Sequence, residues 1–271
     1  MYLALAAIVK DEPAAYLREW VAYHLLLGVE QVYLCDNESA LPVASVFKNE
    51  ARVTVTSVAG PAQQLPTYGS LCRKLSGQAR WVLFLDADEF IRPLEEKTIP
   101  DVLRKYETAA SVSFNWRVFG NYEGCEDRVP SVLGAFAHRA PLDYPVNQHV
   151  KTAVCPECVF GWRDPHLPDL CLGKRSIRPD GSLASSPCAP PVWEGAVIHH
   201  YWVRSVTDWR DKIIRGRGDI TLAKDQYDSV GAAQLNRIAN ILDTTMLRYT
   251  TPVCEEAERI ERNAATKCCS L

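Results

Sequence analysis

The segment that constrains this chain most is an apolar run that stops abruptly on acids: Trp81-Val-Leu-Phe-Leu85, then Asp86-Ala-Asp88-Glu89-Phe90. Five apolar residues in a row leave no face for water, so the run reads as a strand covered on both sides, the habit of parallel sheets. Tyr2 to Val9 is a second such run and stops at Lys10-Asp11, and Val29 to Cys35 reads as the next strand and ends at Asp36-Asn37. Arg52 to Val58 alternates like a strand and ends at Gly60-Pro61. Between the first two runs Tyr16, Leu17, Trp20, Val21, His24 and Leu27 recur at helical spacing, with Asp11 placed to cap, Pro13 suited to the first turn and Gly28 to close. A further helix is expected from Leu65 to Leu75. This alternation predicts an α/β chain with a mostly parallel sheet and helices on both faces. Ligands of such sheets bind outside the carboxyl ends of the strands. Lys10-Asp11, Asp36-Asn37 and Asp86/Asp88 are therefore expected on one rim.

The second half is less regular. Ala110–Trp116, Val150–Cys155 and Val197–Trp202 read as strands, and a helix capped by Ser205 runs to about Arg215. Glu157 to Pro191, rich in Pro, Gly, Asp and Ser, reads as a long loop with at most short strands. The tail from Gly231 to Ala265 is expected to be helical, with a break near Pro252.

Composition narrows the class. The 271 residues, 47% hydrophobic and 23% charged, exclude a disordered or fibrous chain and suffice for a large core. A net charge of -3 offers no basic surface for nucleic acid, so an anionic ligand must be handled by a metal or by a few placed cations. Ten cysteines without regular spacing, no basic leader before the first apolar run and no apolar stretch of membrane length point to reduced thiols and a cytoplasmic location.

Asp86 and Asp88 carry the chemistry. In an extended chain residues two apart point the same way, so both carboxylates can face one hard cation. A metal there would make a bound diphosphate a better leaving group. A solvated acidic turn is the competing reading of Asp-x-Asp alone.

Trp81 to Phe90 resembles the metal-binding segment of glycosyltransferases of the GT-A type, in particular a group once of unknown function and now placed with families 2 and 92. Lys10-Asp-Glu-x-x-x-Tyr-Leu-x-Glu-Trp20, followed by Tyr23-His-Leu-Leu-Leu-Gly28, is similar to that group's N-terminal signature. Asp36-Asn-x-Ser39, Phe114-Asn-Trp-Arg-x-Phe-Gly120, His149-Val-Lys151, His200-Tyr-Trp-x-x-Ser205 and Lys212-Ile-Ile-Arg-Gly216 resemble later blocks in order. The resemblance spans residues 2–217 and implies a GT-A-like domain over 1–217, with 218–271 as a helical C-terminal extension.

The resemblance further implies inverting transfer from a UDP- or GDP-sugar to an acceptor hydroxyl on a glycan, with Mn²⁺ or Mg²⁺. A lipid-linked acceptor would bring peripheral membrane contact. Lys10, Asp11, Glu12, Asp36 and Asn37 would contact the nucleotide, although Asp36 fits a turn-forming role equally well. Asp86 and Asp88 would hold metal and diphosphate, with His200 as a third ligand; His199 would point the other way. Lys212, Arg215 and Arg217 would offset the charge of the leaving diphosphate, or form a solvated helix face behind Trp209 and Ile213.

The base is expected among Asp164, in Trp162-Arg-Asp-Pro-His166, and Glu89, with Glu123, Glu126, Asp127 and Glu194 also available. His166 could bind acceptor or metal, and Phe114, Asn115, Trp116 and Phe119 could form a sugar-stacking wall or core. Cys155-Pro-Glu-Cys158 has half the spacing of a zinc site, without a second pair. Cys268-Cys-Ser-Leu271 has the length of a prenylation box but reads as a frayed tail. Two rival readings stay open: a metal-dependent nucleotidyltransferase, disfavoured by the lack of a Gly-rich loop after the first strand, and a non-catalytic nucleotide- or glycan-binding module.

Overall fold

A computed structural model describes residues 1–216, 218–219 and 229–266. In chain order the first half contains β1 (Leu3–Val9), α1 (Ala14–Leu26), β2 (Gln31–Asp36), α2 (Val43–Val46), β3 (Val53–Ser57), α3 (Gln64–Leu75), β4 (Trp81–Phe84), β5 (Glu89–Pro93) and α4 (Ile99–Leu103). The second contains β6 (Ser111–Phe119), α5 (Val132–Ala135), β7 (His138–Arg139), β8 (Val150–Val154), β9 (Val159–Trp162), β10 (Pro168–Leu170), β11 (Ser176–Ile177), β12 (Ala196–Tyr201), α6 (Val206–Arg215), α7 (Ser229–Ile238), β13 (Ile241–Leu242) and α8 (Thr250–Ala265). This is the α/β class expected from the sequence. β3, β2, β1 and β4 lie side by side and all parallel. Because β1 sits between β2 and β4, the order reverses there, and a crevice opens at the carboxyl ends of those two strands.

Alternation along β1 builds a core on each face. Leu3, Leu5 and Ala7 pack with Trp20, Val21 and Tyr23 of α1, while Ala4 and Ala6 pack with Tyr68, Leu71 and Leu75 of α3. The far half of the sheet departs from the parallel pattern. β8 lies antiparallel between β4 and β6, and β12 joins β5, antiparallel, to β6, parallel. Few of these partners are neighbours in sequence, so local periodicity carries no record of the pairing.

Helix α1 is buried almost all round because α8 covers its outer face. Arg18 pairs with Glu261 at 2.6 Å, and Arg52 with Glu256 at 2.5 Å. The buried side chains Leu235, Ala239, Met246, Val253 and Ile260 belong to the same core as α1. Pro252 does not break the tail; it sits in the first turn of α8, where its missing N–H costs nothing, and the break falls between α7 and α8. Gly28 closes α1 at φ 95°, and a Cβ there would come within 2.9 Å of Pro100. Asp11, by contrast, does not cap α1: it stands at φ 50° and its carboxylate accepts the Ala40 N–H at 2.7 Å. No described helix is long and apolar enough to cross a membrane. Arg217 and Cys268 to Leu271 lie outside the described residues.

One histidine in this core makes stability depend on pH. His24 is fully buried, its Nδ1–H donating to the Trp20 carbonyl at 2.8 Å. Burial pushes its imidazole down to about 3 from the ordinary 6.5. Between those values the unfolded chain binds a proton that the fold refuses, so this contribution is full above pH 6.5 and shrinks as pH falls toward 3. The loss reaches up to about 1.4 kcal/mol per pH unit for this residue. Urea midpoints are expected to be lower near pH 5 than near pH 7, with a narrower gap in His24→Gln. A gap that the substitution leaves unchanged would assign the effect to other groups.

Candidate active site

The crevice at the β1/β4 reversal opens as a cleft of about 470 Å³. Asp86 and Asp88 are on its floor, but not as an extended pair. β4 ends at Phe84, and residues 86–89 form a turn closed by the Glu89 N–H donating to the Asp86 carbonyl at 3.0 Å. The two carboxylates reach the cleft from two corners of that turn, so strand alternation is not what brings them together.

Each acid already faces a cation. Asp86 accepts from Lys151 Nζ at 2.8 Å through one oxygen and from Gln64 Nε2 at 2.9 Å through the other. Asp88 accepts from Lys212 Nζ at 2.7 Å, and its second oxygen lies 3.5 Å from His200 Nε2. Burial alone would raise both carboxyls. Lys151 holds Asp86 below its ordinary value, and Lys212 with His200 holds Asp88 well below. Lys151 is 1% exposed and rises despite burial, because Asp86 and Glu89 face it. Both acids and Lys151 are therefore charged at neutral pH.

Behind the cleft lies Glu89. Its carboxylate accepts the Asp86 N–H at 2.8 Å, it has no exposure, and its other oxygen has no partner. Burial pushes its carboxyl well above the usual range; Lys151 opposes this, and Asp86 and Asp88 add to it. Glu89 is sealed behind the turn, 3.7 Å from Lys151 Nζ, and is not among the residues that line the cleft, so an acceptor hydroxyl cannot reach it, which corrects the expectation of Glu89 as base. Asp164 is not among the residues that line the cleft, although Pro165 and His166 beside it are, and it accepts the His166 N–H at 2.7 Å. Asp36 takes the turn-forming role, accepting from Ser39 and Val43 N–H at 3.0 and 2.9 Å, and along with Asp11 it does not line the cleft.

Lys10, Glu12 and Asn37 do line it. Glu12 is buried in a double ion pair, 3.1 Å from Arg204 and 3.0 Å from Arg215. Burial would raise its carboxyl, but Arg204 and then Arg215 hold it below the usual range. Arg215 also donates to the Lys10 carbonyl at 2.9 Å, tying the end of α6 to the end of β1. Helix α6 is aimed by a capping box, in which Ser205 and Asp208 satisfy each other's backbone N–H groups. Sequence reasoning passed over two residues here. Arg204 stood in an unassigned position of the His200–Ser205 block, and Gln64 carried no motif at all.

The aromatic wall is narrower than expected. Phe114 and Phe119 are core, and Asn115 holds neighbouring backbone, accepting from the Val192 N–H at 3.0 Å. Only Trp116 of that segment faces the cleft, ringed by the imidazoles of His200, His149 and His166 at 4.3, 4.9 and 5.2 Å between centroids. His200 lines the cleft, while His199 lies on the opposite face against Phe119 and Arg92.

The described residues contain no group of three His, Cys, Asp or Glu side chains gathered as a metal site. Two donors nevertheless fit. Asp88 and His200 stand 3.5 Å apart, a separation that two ligands about 2.1 Å from one divalent ion can have. His200 Nδ1 is a buried atom without a partner. Burial keeps this imidazole below its ordinary value, hence neutral and able to ligate.

No family model matches the chain. Two curated plant proteins match part of it. A glycosyltransferase family 92 protein of Oryza sativa subsp. japonica is 32% identical over 97 residues, 34% of this chain and 17% of that protein. Another of Ricinus communis is 32% identical over 79 residues, 28% and 14% of the two chains. The matches thus span less than a fifth of either relative. Among solved structures, a UTP-bound UGPase from Acinetobacter baumannii aligns over 58% of this chain and 75% of that one, with 14% identity and a TM-score of 0.35. A manganese complex of a Mycobacterium tuberculosis protein aligns over 43% and 65%, with 11% identity and a TM-score of 0.30. Likenesses as distant as these two carry no functional weight.

Proposed function

We propose that this chain is a glycosyltransferase that moves a sugar from a nucleoside diphosphate to an acceptor hydroxyl, with residues 1–217 as the catalytic unit. The observation that carries the reading is the Asp86/Asp88 turn at the sheet's switch point, set among Lys10, Lys151, Lys212 and Arg215 on one cleft. The partial matches to two family 92 glycosyltransferases support it.

Bound there, the donor's diphosphate lies against lysine and arginine groups fixed by ion pairs with buried acids. Such preorganised charge favours the leaving group as it gains negative charge, without reorganising during the reaction. Mn²⁺ or Mg²⁺, held by Asp88 and His200 with Asp86 beside them, would neutralise further charge on the diphosphate. Lys10 and Asn37 stand where the nucleotide of a UDP- or GDP-sugar would lie, and Trp116 forms part of the same wall. Attack by the acceptor from the side opposite the diphosphate inverts the anomeric centre.

Calorimetry tests the metal and donor together. UDP or GDP is expected to bind about tenfold more tightly with Mn²⁺ than with EDTA. Affinity indifferent to the metal would remove the metal from this reading.

A further inference from the structure

An acceptor hydroxyl needs a group on the cleft wall to take its proton, and the carboxylates there are committed elsewhere. Asp86 accepts from Lys151 and Gln64, Asp88 from Lys212, and Glu12 pairs with Arg204 and Arg215. Asp219, the remaining carboxylate on the wall, is engaged too. The wall also carries imidazoles. His149 has Nδ1 at a backbone carbonyl, 3.1 Å from Val146, but it stacks on Trp116 and has a further partner, and His200 faces Asp88.

His166 is different. It sits in the tight connection between β9 and β10, held at three points. Its N–H donates to Asp164 at 2.7 Å, its carbonyl accepts from Thr152 Oγ1 at 2.6 Å, and its Nδ1 lies 2.8 Å from the Val150 carbonyl. A carbonyl oxygen only accepts, so Nδ1 must carry the ring proton and Nε2 the lone pair. Among the described residues none hydrogen-bonds Nε2, and it is not a sealed orphan atom, in a residue that lines the cleft.

We propose that His166 Nε2 is the catalytic base that takes the acceptor's proton, an assignment that rests on the glycosyl-transfer reading. The acceptor oxygen forms its bond to the anomeric carbon, the carbon–oxygen bond to the diphosphate breaks with its electron pair leaving on the nucleotide, and the hydroxyl proton passes to Nε2. The resulting imidazolium returns its proton to solvent. Burial, then Lys151, push this imidazole down to about 3, which keeps it in the proton-accepting form at neutral pH. A weak base is sufficient, because the hydroxyl becomes strongly acidic as its oxygen bonds to carbon. Asp164 then serves as a positioning residue, fixing the backbone of His166.

The test follows nucleotide release from a panel of UDP- and GDP-sugars with Mn²⁺ and mixed oligosaccharide acceptors. Wild-type chain that releases none overturns the glycosyl-transfer reading itself. Given wild-type turnover, His166→Gln is expected to lose roughly 10²–10⁴-fold in rate while binding UDP or GDP as wild type does. Added imidazole should restore part of the rate to His166→Gly. Asp164→Asn, whose amide oxygen can still accept the His166 N–H, should slow turnover far less than His166→Gln does. A His166→Gln chain that binds nucleotide and turns over like wild type overturns the base assignment alone. So does an Asp164→Asn chain as slow as His166→Gln, which would return the role to Asp164.

Discussion

Replacing Asp88 with asparagine is expected to slow sugar transfer by roughly 10²–10³-fold while the fold survives, the usual cost of removing one charge aimed at a departing anion. Asparagine fills the same space, so packing on the β4–β5 turn is preserved. What disappears is the charge that fixes Lys212 Nζ at 2.7 Å and faces His200 at 3.5 Å. Lys212 and Arg204 then lose the carboxylate they share. Because burial is outweighed by Lys212 and His200, the Asp88 carboxyl is held well below the ordinary range. Its stabilisation is therefore present at all pH above that range and is lost only as pH falls through the lowered value. The defect should accordingly be the same at every pH above about 5. Steady-state rates across that range check it: a wild-type rate in Asp88→Asn would remove the residue from the reaction, and a defect confined to low pH would reduce it to a structural ion pair.

Arg204→Leu is expected to be the most damaging single change to stability, costing about 3–5 kcal/mol. Arg204 is 4% exposed, pairs with Glu12 at 3.1 Å and lies over the Tyr16 ring at 4.8 Å. Without it Glu12 is left buried with Arg215 as its remaining cation. A fall in melting temperature on the order of 10 °C should follow. The same pair predicts a partial cure. Glu12→Gln added to Arg204→Leu removes the orphaned charge, so the double variant should melt above the single one. A double variant no better than Arg204→Leu would locate the damage in lost packing on Tyr16 instead.

The parallel half of this fold was legible because its information is local. Trp81 to Leu85 has no polar face, and its only consistent place is between β1 and β8 under α3. Ser205 announced the start of α6 to the residue, since a capping box needs only four neighbours. The antiparallel insertion of β8 and β12 was not legible, because it pairs residues far apart in sequence. For the site, the rim itself was readable, but the direction of side chains on it was not. Asp36 and Asp164 look like free acids in the sequence, yet each accepts backbone N–H groups close by in the chain. Arg204 illustrates the converse: its importance comes from Glu12, almost two hundred residues earlier.

The docking of α8 on α1 bears on how the chain is made. Helix α1 closes at Leu26, and the helix that covers its outer face begins at Thr250. At ribosomal rates of about 5–20 residues per second, the two are separated by tens of seconds of synthesis. Through that interval the nascent sheet exposes an apolar helix face on which nothing yet rests. Chaperone occupancy during translation should therefore persist until α8 emerges, and truncations within α8 should fail by aggregation before they fail by loss of chemistry.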